Sequence, residues 1–197
     1  MKKSVSALKT LLRNKKAFTI IELLVVIGII GILAVALLVT LNPTEAQRKA
    51  RDSKRLKDAA TLQAIIEQNL NDGGDFNTCT PANTCKSSTA GSAESQPCSN
   101  NWLGENLCLY AQTIPTDPAN NQSRTVIVNV TQNNNTYTPT TGTDTAEYFV
   151  GVSNADYEIM VMMESTSNAQ KILNDGGNSA KFVEIGSNLN LITETGL

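Results

Sequence analysis

The chain contains no histidine, which removes the commonest general base and the centre of most nucleophile triads. None of its four cysteines is spaced C-x-x-C, so neither half of an ordinary zinc ligand set is present. Acid pairs such as Asp72 with Asp75, or Asp156 with Glu158, read as turn residues and solvated strand positions. No enzyme, metal or cofactor is expected. No segment repeats at a fixed period, which argues against a solenoid or propeller. The first 16 residues hold no acid, although they carry Lys2, Lys3, Lys9, Arg13, Lys15 and Lys16.

That basic flank precedes residues 18 to 41, FTIIELLVVIGIIGILAVALLVTL, a run with a single charged residue, Glu22. As a helix it would be about 36 Å long, enough to cross a hydrocarbon core of about 30 Å. The basic flank is expected to stay in the cytoplasm. Beyond the run lies a second basic cluster, Arg48, Lys49, Arg51, Lys54, Arg55 and Lys57, interleaved with Glu45, Asp52 and Asp58. From Asn71 onward 4 basic residues face 13 acidic ones. An acidic domain rich in Thr, Asn and Ser is suited to water and ill-suited to nucleic acid as its main partner.

Asn42-Pro43-Thr44-Glu45 marks a restart. Pro43 has no N–H and disfavours helical geometry at Asn42, so a break is expected at residues 40 to 43, with Asn42 as N-cap and Pro43 in the first helical position. Ala46, Ala50, Ser53, Leu56, Ala59, Ala60, Leu62, Ile65, Ile66 and Leu70 then recur at helical spacing, as an amphipathic helix packing on a sheet would require. Asn71-Asp72-Gly73-Gly74 stops it.

Residues 71 to 105 are poor in aliphatics, and the cysteines make an ordered loop possible there. An even number of cysteines on an exported domain indicates two disulfides. Three pairings are open among Cys79, Cys85, Cys98 and Cys108, and loop length alone favours Cys79 with Cys85 and Cys98 with Cys108. Strand character follows at Thr125 to Thr131, Ala146 to Ser153, Tyr157 to Glu164 and Lys181 to Ile185. Leu107 to Ala111 is ambiguous between strand and helix. The pattern predicts an α+β fold: a long N-terminal helix, apolar then amphipathic, packed on an antiparallel β-sheet.

An acidic residue inside an apolar span costs about 2.5 to 3.5 kcal/mol at the bilayer centre and less near an end, so Glu22 needs a reason. Lys15-Lys16-Ala17-Phe18-Thr19-Ile20-Ile21-Glu22-Leu23-Leu24-Val25-Val26 resembles the class III signal of type IV prepilins and pseudopilins. The resemblance implies a type IV pilin-like fold and cleavage between Ala17 and Phe18 by a prepilin peptidase. It also implies methylation of the new Phe18 amine and an assembly role for Glu22. Ala17 departs from the family, which usually has Gly there. Gly28, Gly31 and Pro43 match the region where the family's helix loosens in a filament. Ile114-Pro115-Thr116-Asp117-Pro118 resembles a turn before the family's sheet.

The implied organisation is a leader at 1–17, a membrane and filament-core helix at 18–42, an amphipathic half-helix at 43–71 and an extracellular globular domain at 72–197. The implied precursor sits in the cytoplasmic membrane with its N-terminus inside. It then polymerises with copies of itself, through pilus assembly machinery, into a filament on a bacterial surface. Two alternatives stand beside this: a pseudopilin of a secretion or competence system, and a monomeric anchored adhesin. A secretory signal ending at Ala34-Val35-Ala36 fits less well, because that triplet lies inside the apolar run. Calcium near Asp72, Asp75 and Asn77, or near Asp175, and DNA on the 48–57 cluster are disfavoured. The Asn121, Asn129 and Asn134 triplets fit the N-glycosylation pattern, which chance supplies in so Asn- and Thr-rich a chain.

Overall fold

The computed structural model describes residues 18–40 and 42–193. The chain divides into two compact units, Met1–Pro43 and Thr44–Leu197.

In the first unit, helix α1 spans Ile20–Thr40. Its 21 residues are apolar around the whole circumference apart from Glu22 near the start and Thr40 at the end, and the side chains of residues 18–38 are exposed. Such a helix has no stripe to turn towards a core of its own and is suited to lipid or to other apolar helices. Ile20–Leu38 is long and apolar enough to cross a membrane. The helix runs unbroken through Gly28 and Gly31. Asn42 then takes a φ of 39°, in the left-handed region, and Pro43 is the first residue of the next helix. Asparagine tolerates that conformation better than most residues.

Helix α2, Pro43–Asn71, carries its buried side chains at Asp52, Arg55, Ala59, Leu62, Ile65, Ile66 and Asn69. Ala46, Ala50, Ser53 and Ala60, read from the sequence as part of the packing stripe, are exposed. The stripe is apolar in its second half and ionic in its first.

The main sheet is antiparallel, in the order β1 (Cys85–Lys86), β6 (Tyr148–Ser153), β7 (Asp156–Met162) and β8 (Phe182–Gly186). Alternation sorts its side chains onto two faces. Tyr148, Val150, Val152, Tyr157, Ile159, Val161 and Val183 share a core with the apolar half of α2. Phe149, Met160, Met162 and Phe182 face the other way, into a smaller cluster with Val126 and Ile192. Each fully buried Leu or Ile of α2 contributes about 1.5 to 3 kcal/mol.

Two smaller pairings complete the unit: β2 (Ser95–Pro97) with β3 (Thr113–Pro115), and β4 (Gln122–Asn133) with β5 (Thr136–Ala146). The β4–β5 hairpin turns on Asn134 and Asn135, both at positive φ (47° and 63°), as a type I′ turn requires. Thr136 to Ala146, which carries Pro139, Gly142 and little apolar alternation, was not among the expected strands. Leu107 to Ala111, left between strand and helix, is neither; Tyr110 and Ala111 donate backbone N–H groups to the Leu107 carbonyl in a turn. Disulfides join Cys79 to Cys85 and Cys98 to Cys108. The first is core material, with Cys79 buried and Cys85 placed beside Val150 on the sheet edge. Short α3 (Ala169–Leu173) lies between β7 and β8.

Candidate assembly site

At the start of α1, the backbone N–H and the hydroxyl of Thr19 both donate to Glu22 Oε2, at 2.8 and 2.7 Å, while the Glu22 N–H donates back to Thr19 Oγ1 at 3.2 Å. This is a capping box: the first turn of a helix leaves backbone N–H groups unpaired, and a Thr followed three residues later by Glu satisfies two of them reciprocally. The pattern Thr19-Ile20-Ile21-Glu22 carries the signal in plain view, yet sequence reasoning assigned Glu22 an assembly role and passed over Thr19. Phe18, Ile21, Glu22, Val25 and Val26 line a shallow cavity of about 340 Å³. Phe18 and Glu22 are thus on one side of the helix start, and Ala17 lies outside the described residues. Gly28 and Gly31 follow further along α1, and an added Cβ at either would meet nothing within 4 Å. Asn42 and Pro43 stand at the break between helices, and the four cysteines belong to the other unit.

The first half of α2 is fixed by charge. Arg55, fully buried, makes a fork with Asp117 (Nε to Oδ2 2.6 Å, Nη2 to Oδ1 3.0 Å) and also donates to Asp52 Oδ1 at 2.9 Å and Glu164 Oε1 at 2.8 Å. Arg51 donates through Nε to Glu164 Oε1 at 2.8 Å. Asp52 in turn accepts the backbone N–H groups of Glu164 and Ser165, both at 2.9 Å, so it holds the chain just past β7. Burial works against the Arg55 charge, but the Asp117 fork and the fields of Asp117, Glu164 and Asp52 outweigh it and hold the guanidinium more firmly protonated than usual. Burial likewise opposes the Glu164 carboxylate, and Arg51 and Arg55 more than compensate, so its pKa falls. Tyr148 donates to Asp58 at 3.1 Å, and Tyr157 to Glu67, tying β6 and β7 to the same helix. Within the 48–57 run Arg55 is therefore buried and Arg51 half-buried, while Lys49, Lys54 and Lys57 are exposed.

A second buried acid group lies under the C-terminal segment. Glu158 Oε2 accepts the N–H groups of Leu191 and Ile192 at 2.8 and 2.7 Å, and Glu184 Oε2 accepts that of Ser179 at 2.8 Å. Both carboxyls are buried, which corrects the reading of Glu158 as a solvated strand position. Burial, then the bond to Glu158, pushes Glu184 up to about 8. Asp175 is engaged by the N–H groups of Gly177 and Glu184. Among the described residues no group of three or more Cys, Asp or Glu is arranged to hold a metal ion.

Residues 12–38 match the family described as the prokaryotic N-terminal methylation motif. No curated protein and no solved structure matches the chain. The motif supports a precursor of the type IV pilin or pseudopilin kind.

Proposed function

We propose that this chain is a structural subunit of an extracellular type IV pilus, cut between Ala17 and Phe18, methylated on the Phe18 amine and polymerised through α1. The observation that carries the reading is the methylation-type amino terminus, whose only charged residue after the leader is Glu22, set in the first turn of an otherwise apolar helix. Cleavage creates a cationic amine about one helical turn from Glu22. In a staggered bundle the amine of an incoming subunit meets the Glu22 carboxylate of the subunit already docked. An unpaired charge in that apolar setting is strongly unfavourable, so the pair sets the axial register even where it adds little net stability.

Before assembly the precursor is held in the cytoplasmic membrane by α1, with the acidic unit outside. The proposed segments are the leader at 1–17, the core helix at 18–42, the half-helix at 43–71 and the globular domain at 72–197. The same amino terminus serves pseudopilins, so the filament itself is the discriminating object. Surface filaments sheared from the native cell should contain this chain beginning at N-methylated Phe18 by terminal peptide mass analysis. A surface-exposed chain that retains Met1, or one that begins after Ala36, would refute the reading.

A further inference from the structure

Beside the buried ionic cluster lies a cavity of about 250 Å³ between the first turns of α2 and the start of β4. Gln47, Arg48 and Arg51 line it from α2, Ser123 and Arg124 from β4, and Glu164 is its single carboxylate. The Glu164 charge is already gripped by Arg51 and Arg55. Arg48 has a loose ion pair with Glu45, 3.9 Å away. Arg124 pairs with no carboxylate among the described residues: its Nη2 donates to the neutral Gln122 Oε1 at 2.5 Å, and its Nε–H is buried without an acceptor. A cavity with three guanidinium groups, one committed carboxylate and an orphaned donor has the chemistry of an oxyanion site, and arginine forks match phosphate oxygens two at a time.

Chain connectivity says which phosphate is nearest. Arg48 comes eight positions after Thr40, the last residue of α1, and the positions from Pro43 on are helical. Three peptide links and one and a half turns of helix keep Arg48 within about 20 Å of the end of the apolar helix. Lipid headgroups occupy the first ~5 to 7 Å beyond the hydrocarbon. We propose that this cavity binds the phosphate of an anionic membrane phospholipid while the subunit waits in the membrane, an inference that rests on α1 being the membrane anchor. The acidic remainder of the unit is repelled by an anionic surface, so a basic cavity tethered to the span by a short stretch of chain would orient the subunit for extraction.

The test uses the full chain in nanodiscs of mixed phosphatidylglycerol and phosphatidylcholine, with retained lipid counted by native mass spectrometry. Phosphatidylglycerol should be retained in preference, and Arg124→Gln and Arg48→Gln should each cut that preference about fivefold, the effect of one basic group near an anionic surface. Lys57→Gln, which removes an exposed charge further along α2, should leave it within about twofold. Equal losses from Lys57→Gln and Arg124→Gln would mean diffuse attraction and overturn the site, as would an unchanged preference in both arginine variants. Near-ultraviolet circular dichroism checks folding, and Arg48→Gln carries the test if Arg124→Gln misfolds. If inorganic phosphate shifts the Arg124 Nε–H resonance in pure phosphatidylcholine discs as strongly as phosphatidylglycerol does, the site is one for free phosphate and the lipid assignment falls. Failure of the wild-type chain to insert would overturn the anchor reading and the site together; insertion with insensitive variants overturns the site alone.

Discussion

Arg55→Met should destabilise the second unit far more than the loss of a surface arginine would. The substitution removes one guanidinium from among Asp117, Asp52 and Glu164, leaving three buried carboxylates with Arg51 as their one remaining arginine. Asp117 suffers most, retaining the Ala119 N–H at 2.8 Å but no cation. Breaking a buried ion pair from one side costs about 3 to 5 kcal/mol, and in a unit of this size each kcal/mol lowers Tm by about 2 to 4 °C. The expected loss is therefore about 6 to 20 °C at neutral pH. Trp102, the only tryptophan in the chain, donates its indole N–H to the Pro115 carbonyl at 3.0 Å, two residues from Asp117, so its fluorescence reports the transition locally. Arg55→Met combined with Asp117→Leu should recover at least half of the loss, because the second change removes the stranded charge. A single-variant cost below about 1 kcal/mol, or two changes that simply add, would show that the cluster does not hold α2 on the sheet.

The buried Glu184 carboxyl makes stability depend on pH. Its folded pKa, near 8, stands above the ordinary carboxylate value, so the unfolded chain loses that proton first and stability falls as pH rises from about 4.5 to about 8. Glu184→Gln, a permanent mimic of the protonated form, should flatten that slope in urea midpoints taken at pH 6 and pH 9, and an equal slope in both proteins would contradict the assignment. In the first unit, Glu22→Ala and Glu22→Gln should leave an inserted, folded subunit while filament number and length fall, with Glu22→Asp intermediate. Thr19→Val, which keeps the carboxylate but removes the Thr19 hydroxyl from the cap, should cost the helix start about 1 kcal/mol and reduce filaments less than Glu22→Ala; filaments at normal number and length from Glu22→Ala cells would remove the register role.

The apolar helix and its restart at Pro43 were legible because they depend on composition and on one residue's covalent chemistry. The sheet strands β6, β7 and β8 were legible because they are apolar runs separated by turn residues. Strand β5 was not, since its threonines, Pro139 and Gly142 carry no apolar alternation and its partner, not its own sequence, keeps it extended. The burial of Arg55 was not legible for a related reason. Asp52 and Arg55 are three apart on a helix and look like an exposed pair, whereas the residue that draws Arg55 inside, Asp117, is 62 positions away. A local trace did exist: Asp52, Arg55, Ala59, Leu62, Ile66 and Asn69 recur at alternating steps of three and four, so the two charged residues lie in phase with the buried stripe. The capping box at Thr19 was legible by pattern alone, and the stronger pull of Glu22 as a charge in an apolar run obscured it.

Gly28 and Gly31 show where a subunit's own structure stops explaining its sequence. Glycine costs an α-helix about 1 kcal/mol relative to alanine, and two of them sit in the middle of α1 with room for a Cβ on each. Neither takes a positive φ, so no backbone conformation in the subunit demands glycine there. The side chains around them from residue 18 to residue 38 are exposed as well. By contrast, Gly186 in β8 is explained within its own unit, because a Cβ there would lie 2.1 Å from the Tyr157 carbonyl oxygen. Small residues on an apolar helix let another helix approach closely, and in a setting without water that approach is a main source of helix–helix attraction. Gly186 has its reason within its own unit, whereas the apolar helix has its reasons in whatever packs against it; the proposed filament core, made of further copies of α1, supplies them.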